Sequence, residues 1–325
     1  MTHQYHNKYF TNKVVWFDVW PIFVKAIATL NLLIFMKAIL RVFLYVSILA
    51  LLFYLIRIDY VAFEKIHINY YLAAISVVLL YLGFIFSAIS WKKILNLHDV
   101  NITTKQAIVS HGMPTFTKYI PGRVWTILGR AALIPNSNNI KLLSFISLKE
   151  QLIYLNLGLI ISIYPVISTP GLKRYSVLLI LLSFFMLLTL YLKSLHKLIE
   201  KTWNKLFHRK IELPLITKKE FISISLYILT YWLIWTMAFY LLLCSVFGQI
   251  PIYYSFAFPL SVSLGLMSLV LPGGIGIREG AITLFLITNG IQPELAASFS
   301  VLSRLWFIVG ESLIFSTSLF LRKRN

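Results

Sequence analysis

The stretch Leu271–Gly280, LPGGIGIREG, sets a proline and three glycines ahead of a charged pair, inside otherwise apolar sequence. Pro272 removes a backbone donor, and Gly273, Gly274 and Gly276 lower helix propensity, so no regular helix runs through it. Broken backbone at membrane depth is tolerated only where protein or a water-filled cavity surrounds it. Arg278 and Glu279 open the next helical segment. An ionisable pair at that depth costs on the order of 3 kcal/mol per charge on insertion scales and is by default a hypothesis of function.

The surroundings justify a membrane reading. Of 325 residues, 59% are hydrophobic and 13% charged, with mean hydropathy +0.81, which excludes the ordinary soluble class and predicts an all-α polytopic membrane protein. The net charge of +19 raises nucleic acid as a partner. The basic residues lie mainly between apolar runs, however, so the positive-inside rule and anionic lipid account for them and no nucleic-acid partner is expected. Cys244, the single cysteine, sits in an apolar run as a small hydrophobe and forms no disulfide within the chain. The N-terminus lacks the order of a cleavable signal peptide.

Residues 1–37 read as an N-terminal extension, interfacial or loosely ordered, with a weakly hydrophobic extra helix as the alternative. The transmembrane domain follows at 38–325. Spans are predicted at 39–56, 70–90, 142–166, 175–192, 221–247 and 295–321, with two interrupted segments at 104–134 and 252–289. Both interruptions carry Pro-Gly with an arginine just beyond: Pro121-Gly122-Arg123, and Pro272-Gly273 leading to Arg278. They lie 151 residues apart (272 less 121), so an internal repeat is predicted, with copies at about 38–167 and 175–321.

Charge sets the expected topology. The loop from Lys193 to Glu220 holds eight basic residues against three acidic, and the chain ends Arg322-Lys323-Arg324. For both to face the cytoplasm along with the N-terminus, each interrupted segment must dip in and return on the same side. That predicts about six full crossings plus two re-entrant hairpins in two inverted repeats, hairpin tips meeting near the midplane. Lys173-Arg174, placed outside, is the one small violation. Within the cytoplasmic loop, Lys193, Lys197, Lys201, Lys205 and Arg209 recur every four residues. A basic amphipathic helix over 193–209 therefore lies on the anionic inner leaflet, or else presents a solvated face that only sets topology.

A helix starting after Pro-Gly aims free N–H groups and a positive dipole end at what precedes it, and an adjacent arginine adds paired donors; together these suit a phosphate. The candidate substrate-binding residues are Gly122, Arg123, Gly273, Gly274, Gly276, Arg278, Glu279 and Arg304, supported by Lys118, Arg130, Glu150 and Glu311. The competing reading is that these charges only lock helices together. Gly274-Ile-Gly276-Ile-Arg-Glu-Gly280 misses the dinucleotide spacing. The histidines are scattered without metal-ligand spacing, so no metal or other cofactor is expected, and His111 reads as a satisfied interior histidine rather than a proton relay.

With these residues in view, the arrangement resembles the lysylphosphatidylglycerol synthase transmembrane-region family, the flippase-like domain. Leu271–Gly280 is similar to its Pro-Gly-Gly-x-Gly-x-x-Glu signature, and Pro121-Gly122, Glu150 and Arg304 resemble family positions. The resemblance covers about residue 36 to the end and implies handling of lipid head groups. The sequence stops at Asn325, so a stand-alone member without the soluble synthase domain is expected, and lysyl transfer is not.

The expected function is translocation, between leaflets of a bacterial inner membrane, of a lipid or glycolipid with an anionic phosphate head group, for cell-envelope lipid or polysaccharide assembly. One rival is a glycosyl- or phospho-transferase using a polyprenyl-linked donor, with Asp59 and Glu64 as its acidic candidates. Another is a non-catalytic membrane partner of an envelope-biosynthesis enzyme.

Overall fold

The structure is a computed structural model that describes residues 67–119, 124–135, 140–192, 197, 201, 217–268 and 272–323. The extension at 1–37, the span at 39–56 with Asp59 and Glu64, Gly122, Arg123 and nearly all of the 193–209 stretch lie outside the described residues. Nine α-helices are described, joined by short 3-10 turns, and there is no strand among the described residues. They are α1 (Tyr70–Asn96), α2 (Thr104–Gly112), α3 (Val124–Ala132), α4 (Ile140–Ser168), α5 (Ser176–Tyr191), α6 (Lys218–Phe247), α7 (Ala257–Met267), α8 (Ile277–Thr288) and α9 (Pro293–Lys323).

Helices α1, α4, α6 and α9 contain the spans Tyr70–Asn96, Leu142–Ser168, Lys218–Phe247 and Pro293–Lys323, each long and apolar enough to cross a bilayer. At about 1.5 Å per residue they exceed the ~30 Å hydrocarbon core. Local chemistry starts them where the apolar runs begin. The Asn69 side-chain oxygen accepts from the N–H groups of Tyr71 and Leu72 at 3.1 and 3.2 Å, and Thr217 and Glu220 cap α6 reciprocally. On α5, Leu178, Leu181, Phe184 and Phe185 are all more than half exposed, a face that lipid suits and water would not.

Helices α1 and α6 pack closely along their length and run antiparallel. The N–H of Asn69 donates to Ser245 O at 2.7 Å, Ser76 Oγ donates to Ala238 O at 2.6 Å, and Trp235 Nε1 donates to Leu80 O at 3.2 Å. Glycines allow this closeness: a Cβ at Gly83 would lie 2.3 Å from the Trp235 ring, and one at Gly310 of α9 would lie 2.5 Å from Leu80. In lipid, association rests on such close packing and on interhelical hydrogen bonds, because there is no hydrophobic drive between helices.

Both interrupted segments double back. In the first, Pro114 packs on Gly129 and Thr117 Oγ1 lies 3.0 Å from Thr126 Oγ1, so the residues on either side of 120–123 lie side by side. In the second, the hydroxyls of Tyr253 and Tyr254 both donate at 2.8 Å to Asn289, while at the other end Gly274 sits against Gly265. Helices α7 and α8, of 11 and 12 residues, are each too short to cross a bilayer alone. The packing is reciprocal: in the first hairpin α2 lies on α9 and α3 on α4, and in the second α7 lies on α4 and α8 on α9.

Candidate functional site

The hairpin tips touch. Tyr119, at the first tip, donates its hydroxyl to Glu311 Oε2 on α9 at 2.9 Å, and its ring lies where a Cβ on Gly273 would be, 2.8 Å away. Gly273 and Gly274 have φ of +62° and +69°, the left-handed region that favours glycine. Gly274 has a further constraint, since its Cβ would sit 2.8 Å from Gly265 Cα and 2.9 Å from Gly265 O. The proline-glycine motif is thus a backbone contact in which any side chain would force hairpin and partner apart.

Two groups of charges surround this contact. One ties the second tip to α9. Arg304 Nη2 donates to Gly273 O at 3.1 Å, Arg304 Nε lies 3.6 Å from Glu279 Oε1, and Glu279 Oε2 accepts from the Gly276 N–H at 2.6 Å. The first N–H ahead of α8 is therefore already held by a carboxylate of the same helix. The space enclosed by Arg304, Glu279, Ser300, Ser303 and Arg278 is about 10 Å³, room for one water.

The second group faces a cavity of about 360 Å³, within the ~300–1,000 Å³ range of ligand sites. Lys118 from the first tip, Arg130 from α3, Glu150 from α4 and Arg278 from α8 all line it, with Phe84, Leu152 and Leu266 among the apolar residues of its wall. Arg278 is 9% exposed and lies over the Phe307 ring at 4.6 Å, and Lys118 Nζ lies over the same ring at 4.9 Å. Those two centroid distances bound the separation of the cations at 9.5 Å. Lys118 is ion-paired with the fully buried Glu311. Among the described residues no carboxylate lies within ion-pair distance of Arg278.

Arg130 Nη2 and Glu150 Oε2 are 2.7 Å apart, and their side chains are 5% and 4% exposed. The pair faces the cavity, and Arg130 Nε has no hydrogen-bond partner among the described residues. Arg130 also stacks over Trp91 at 4.2 Å. His111 lines the same cavity, its Nε2 2.8 Å from Ser87 Oγ and its Nδ1 without a partner among the described residues.

Of the predicted residues, Lys118, Arg130, Glu150, Gly273 and Arg278 come together on the large cavity, and Glu279 and Arg304 stand behind Arg278. Glu311 backs Lys118, and Gly274 and Gly276 shape the second tip. Gly122 and Arg123 lie outside the described residues. Tyr119, Tyr154, Gln151 and Tyr231 went unranked by sequence reasoning; of these only Tyr119 had a signal, its place beside Pro121-Gly122. At another place, Lys149 Nζ lies 3.0 Å from His98 Nε2 and 3.5 Å from Glu220 Oε1, joining α4, α6 and the residues after α1. Among the described residues no group of histidine, cysteine and carboxylate side chains has the arrangement to hold a metal ion.

No curated protein and no solved structure matches the chain significantly. The family described as lysylphosphatidylglycerol synthase TM region matches residues 38–309, which contain both hairpins, the cavity and every predicted site residue except Glu311. The four long apolar helices make this a membrane protein, and the match makes its membership plain: the chain belongs to the lysylphosphatidylglycerol synthase TM region family.

Proposed function

We propose that the protein moves a lipid with an anionic, phosphate-bearing head group between the leaflets of a bacterial cytoplasmic membrane, in the service of cell-envelope lipid or polysaccharide assembly. The observation that carries this reading is the convergence of Lys118, Arg130 and Arg278 on one partly apolar cavity beside the two hairpin tips. Buried cations are costly unless something anionic offsets them, and Arg278 has no carboxylate at ion-pair distance among the described residues. A head-group phosphate supplies that charge while acyl or isoprenoid chains remain in lipid. Arg123, in the first tip, is a further candidate donor.

In this reading both hairpins are re-entrant and the two halves are inverted repeats, which the antiparallel α1 and α6 and the reciprocal packing of hairpins on α4 and α9 support. Alternating access follows if one half rocks against the other about the cavity. Both termini and the basic 193–209 stretch face the cytoplasm, that stretch lying on the anionic leaflet. An envelope-biosynthesis enzyme that makes or consumes the lipid is the natural partner.

The test is leaflet exchange of fluorescent lipids in proteoliposomes, with a phospholipid beside a polyprenyl-phosphate glycolipid, for wild type and Arg278→Ala. Exchange of either lipid that falls at least tenfold in Arg278→Ala supports translocation and identifies the class. Absence of exchange for both, with folded protein, overturns it.

A further inference from the structure

The cavity contains a charge arrangement that translocation alone does not require. Four basic side chains, Lys118, Arg130, Arg278 and Arg304, surround the tips with three carboxylates, Glu150, Glu279 and Glu311. Among the described residues each carboxylate has its own cation, and the remaining positive charge rests on Arg278. One negative charge on a ligand at Arg278 therefore completes neutrality. Among the described residues a second meets the Arg130 guanidinium, which lines the same cavity together with its partner Glu150.

We propose, building on the translocase reading, that this cavity takes a head group with two negative charges, a diphosphate, and takes up one proton with it. The first phosphoryl group is held by Arg278, and the second displaces the Glu150 carboxylate from Arg130. Left 3% exposed without its cation, Glu150 is neutralised by a proton drawn from water through the cavity. The charges balance: the ligand brings two negatives, one met by Arg278 and one by Arg130, and the proton cancels the negative that Glu150 would otherwise leave buried. Binding of ligand and proton are thereby linked, and a proton gradient can drive the lipid.

The other charged and titratable groups near Glu150 leave it this role. From α3 comes Arg130 itself; from α2, His111; from the first tip, Lys118, held by Glu311; from α8, Arg278; and from α6, the Tyr231 hydroxyl, within electrostatic reach of Glu150. On α4, Tyr154 lines the cavity while Lys149 turns to His98 and Glu220. Helix α7, packed on α4, has no titratable residue, α5 has only Tyr191 at its end, and α1 contributes Trp91 and Ser87 at this level.

The experiment measures proton exchange on binding to the full chain in detergent, using calorimetry in two buffers of different ionisation enthalpy. The probes are citronellyl-diphospho-N-acetylglucosamine, a diphosphate diester with two permanent charges, and dihexanoyl phosphatidylglycerol, a phosphodiester with one. The expected result is one proton taken up per diphosphate probe bound, affinity falling about tenfold per pH unit as pH rises above neutrality, and no uptake with phosphatidylglycerol. In Glu150→Gln uptake is lost and diphosphate binding at pH 8 tightens; in His111→Asn uptake persists. Diphosphate binding without uptake, equal uptake with both probes, or uptake that survives Glu150→Gln and fails in His111→Asn each overturns the inference while leaving the translocase reading in place. The two-probe comparison needs no variant, so it decides even if Glu150→Gln fails to fold. Binding of neither probe overturns the translocase reading and this inference with it.

Discussion

Two arginine–glutamate pairs flank the hairpin tips, and they differ in what else holds them. Arg304 and Glu279 are 3.6 Å apart, but Arg304 also donates to Gly273 O and Glu279 also accepts from the Gly276 N–H. Their pocket admits one water. Arg130 and Glu150 are closer, at 2.7 Å, but border a cavity some 360 Å³ in volume. Distance alone would rank the second pair as the firmer tie. What surrounds each pair reverses this: the longer pair is tied to backbone at Gly273 and Gly276 and is part of the scaffold, whereas the shorter one borders space that a ligand can enter.

The largest effect is expected where the scaffold is tightest. Gly274→Ala places a methyl group 2.8 Å from Gly265 Cα on a residue with φ of +69°, which adds left-handed strain to overpacking against backbone, about 4 kcal/mol together. Thermal unfolding in detergent should show little folded protein at growth temperature. A variant of near wild-type stability would mean that the tip relaxes freely, and the scaffold side of the comparison would fail.

Next comes Arg304→Ala, which leaves Glu279 without its cation and Gly273 O without a donor; we expect a loss of about 3 kcal/mol in denaturant unfolding. Arg130→Ala should cost roughly 1–2 kcal/mol, mainly the stacking over Trp91, because Glu150 borders a cavity and can be neutralised. Equal losses for the two variants would erase the distinction between the pairs. The smallest stability change belongs to Arg278→Ala, about 1 kcal/mol for its ring contacts, although its effect on lipid exchange is expected to be among the greatest. A large stability loss there would instead make Arg278 a structural residue.

Much of the fold was legible in the chain. The predicted spans at 70–90, 142–166, 221–247 and 295–321 became helices at 70–96, 140–168, 218–247 and 293–323, because apolar runs of that length with capping residues before them admit little else. Helix α5, predicted over 175–192, is observed over 176–191. The breaks were legible for the same kind of reason: proline and clustered glycine cannot continue a helix.

The sequence alone therefore determined an all-helical membrane protein with two interrupted segments, and it named nearly every charge beside them. It did not say which charges belong to which other. Glu279, adjacent to Arg278, instead caps its own helix and meets Arg304 from α9, while Glu150 on α4 meets Arg130 from α3 on the cavity wall. Those choices rest on contacts between residues far apart in the chain, made where Tyr119 of one hairpin seats on Gly273 of the other. Local propensity reads the backbone from its immediate neighbours; the partner of a buried charge is set by the packing of whole helices, and only the tertiary structure contains that information.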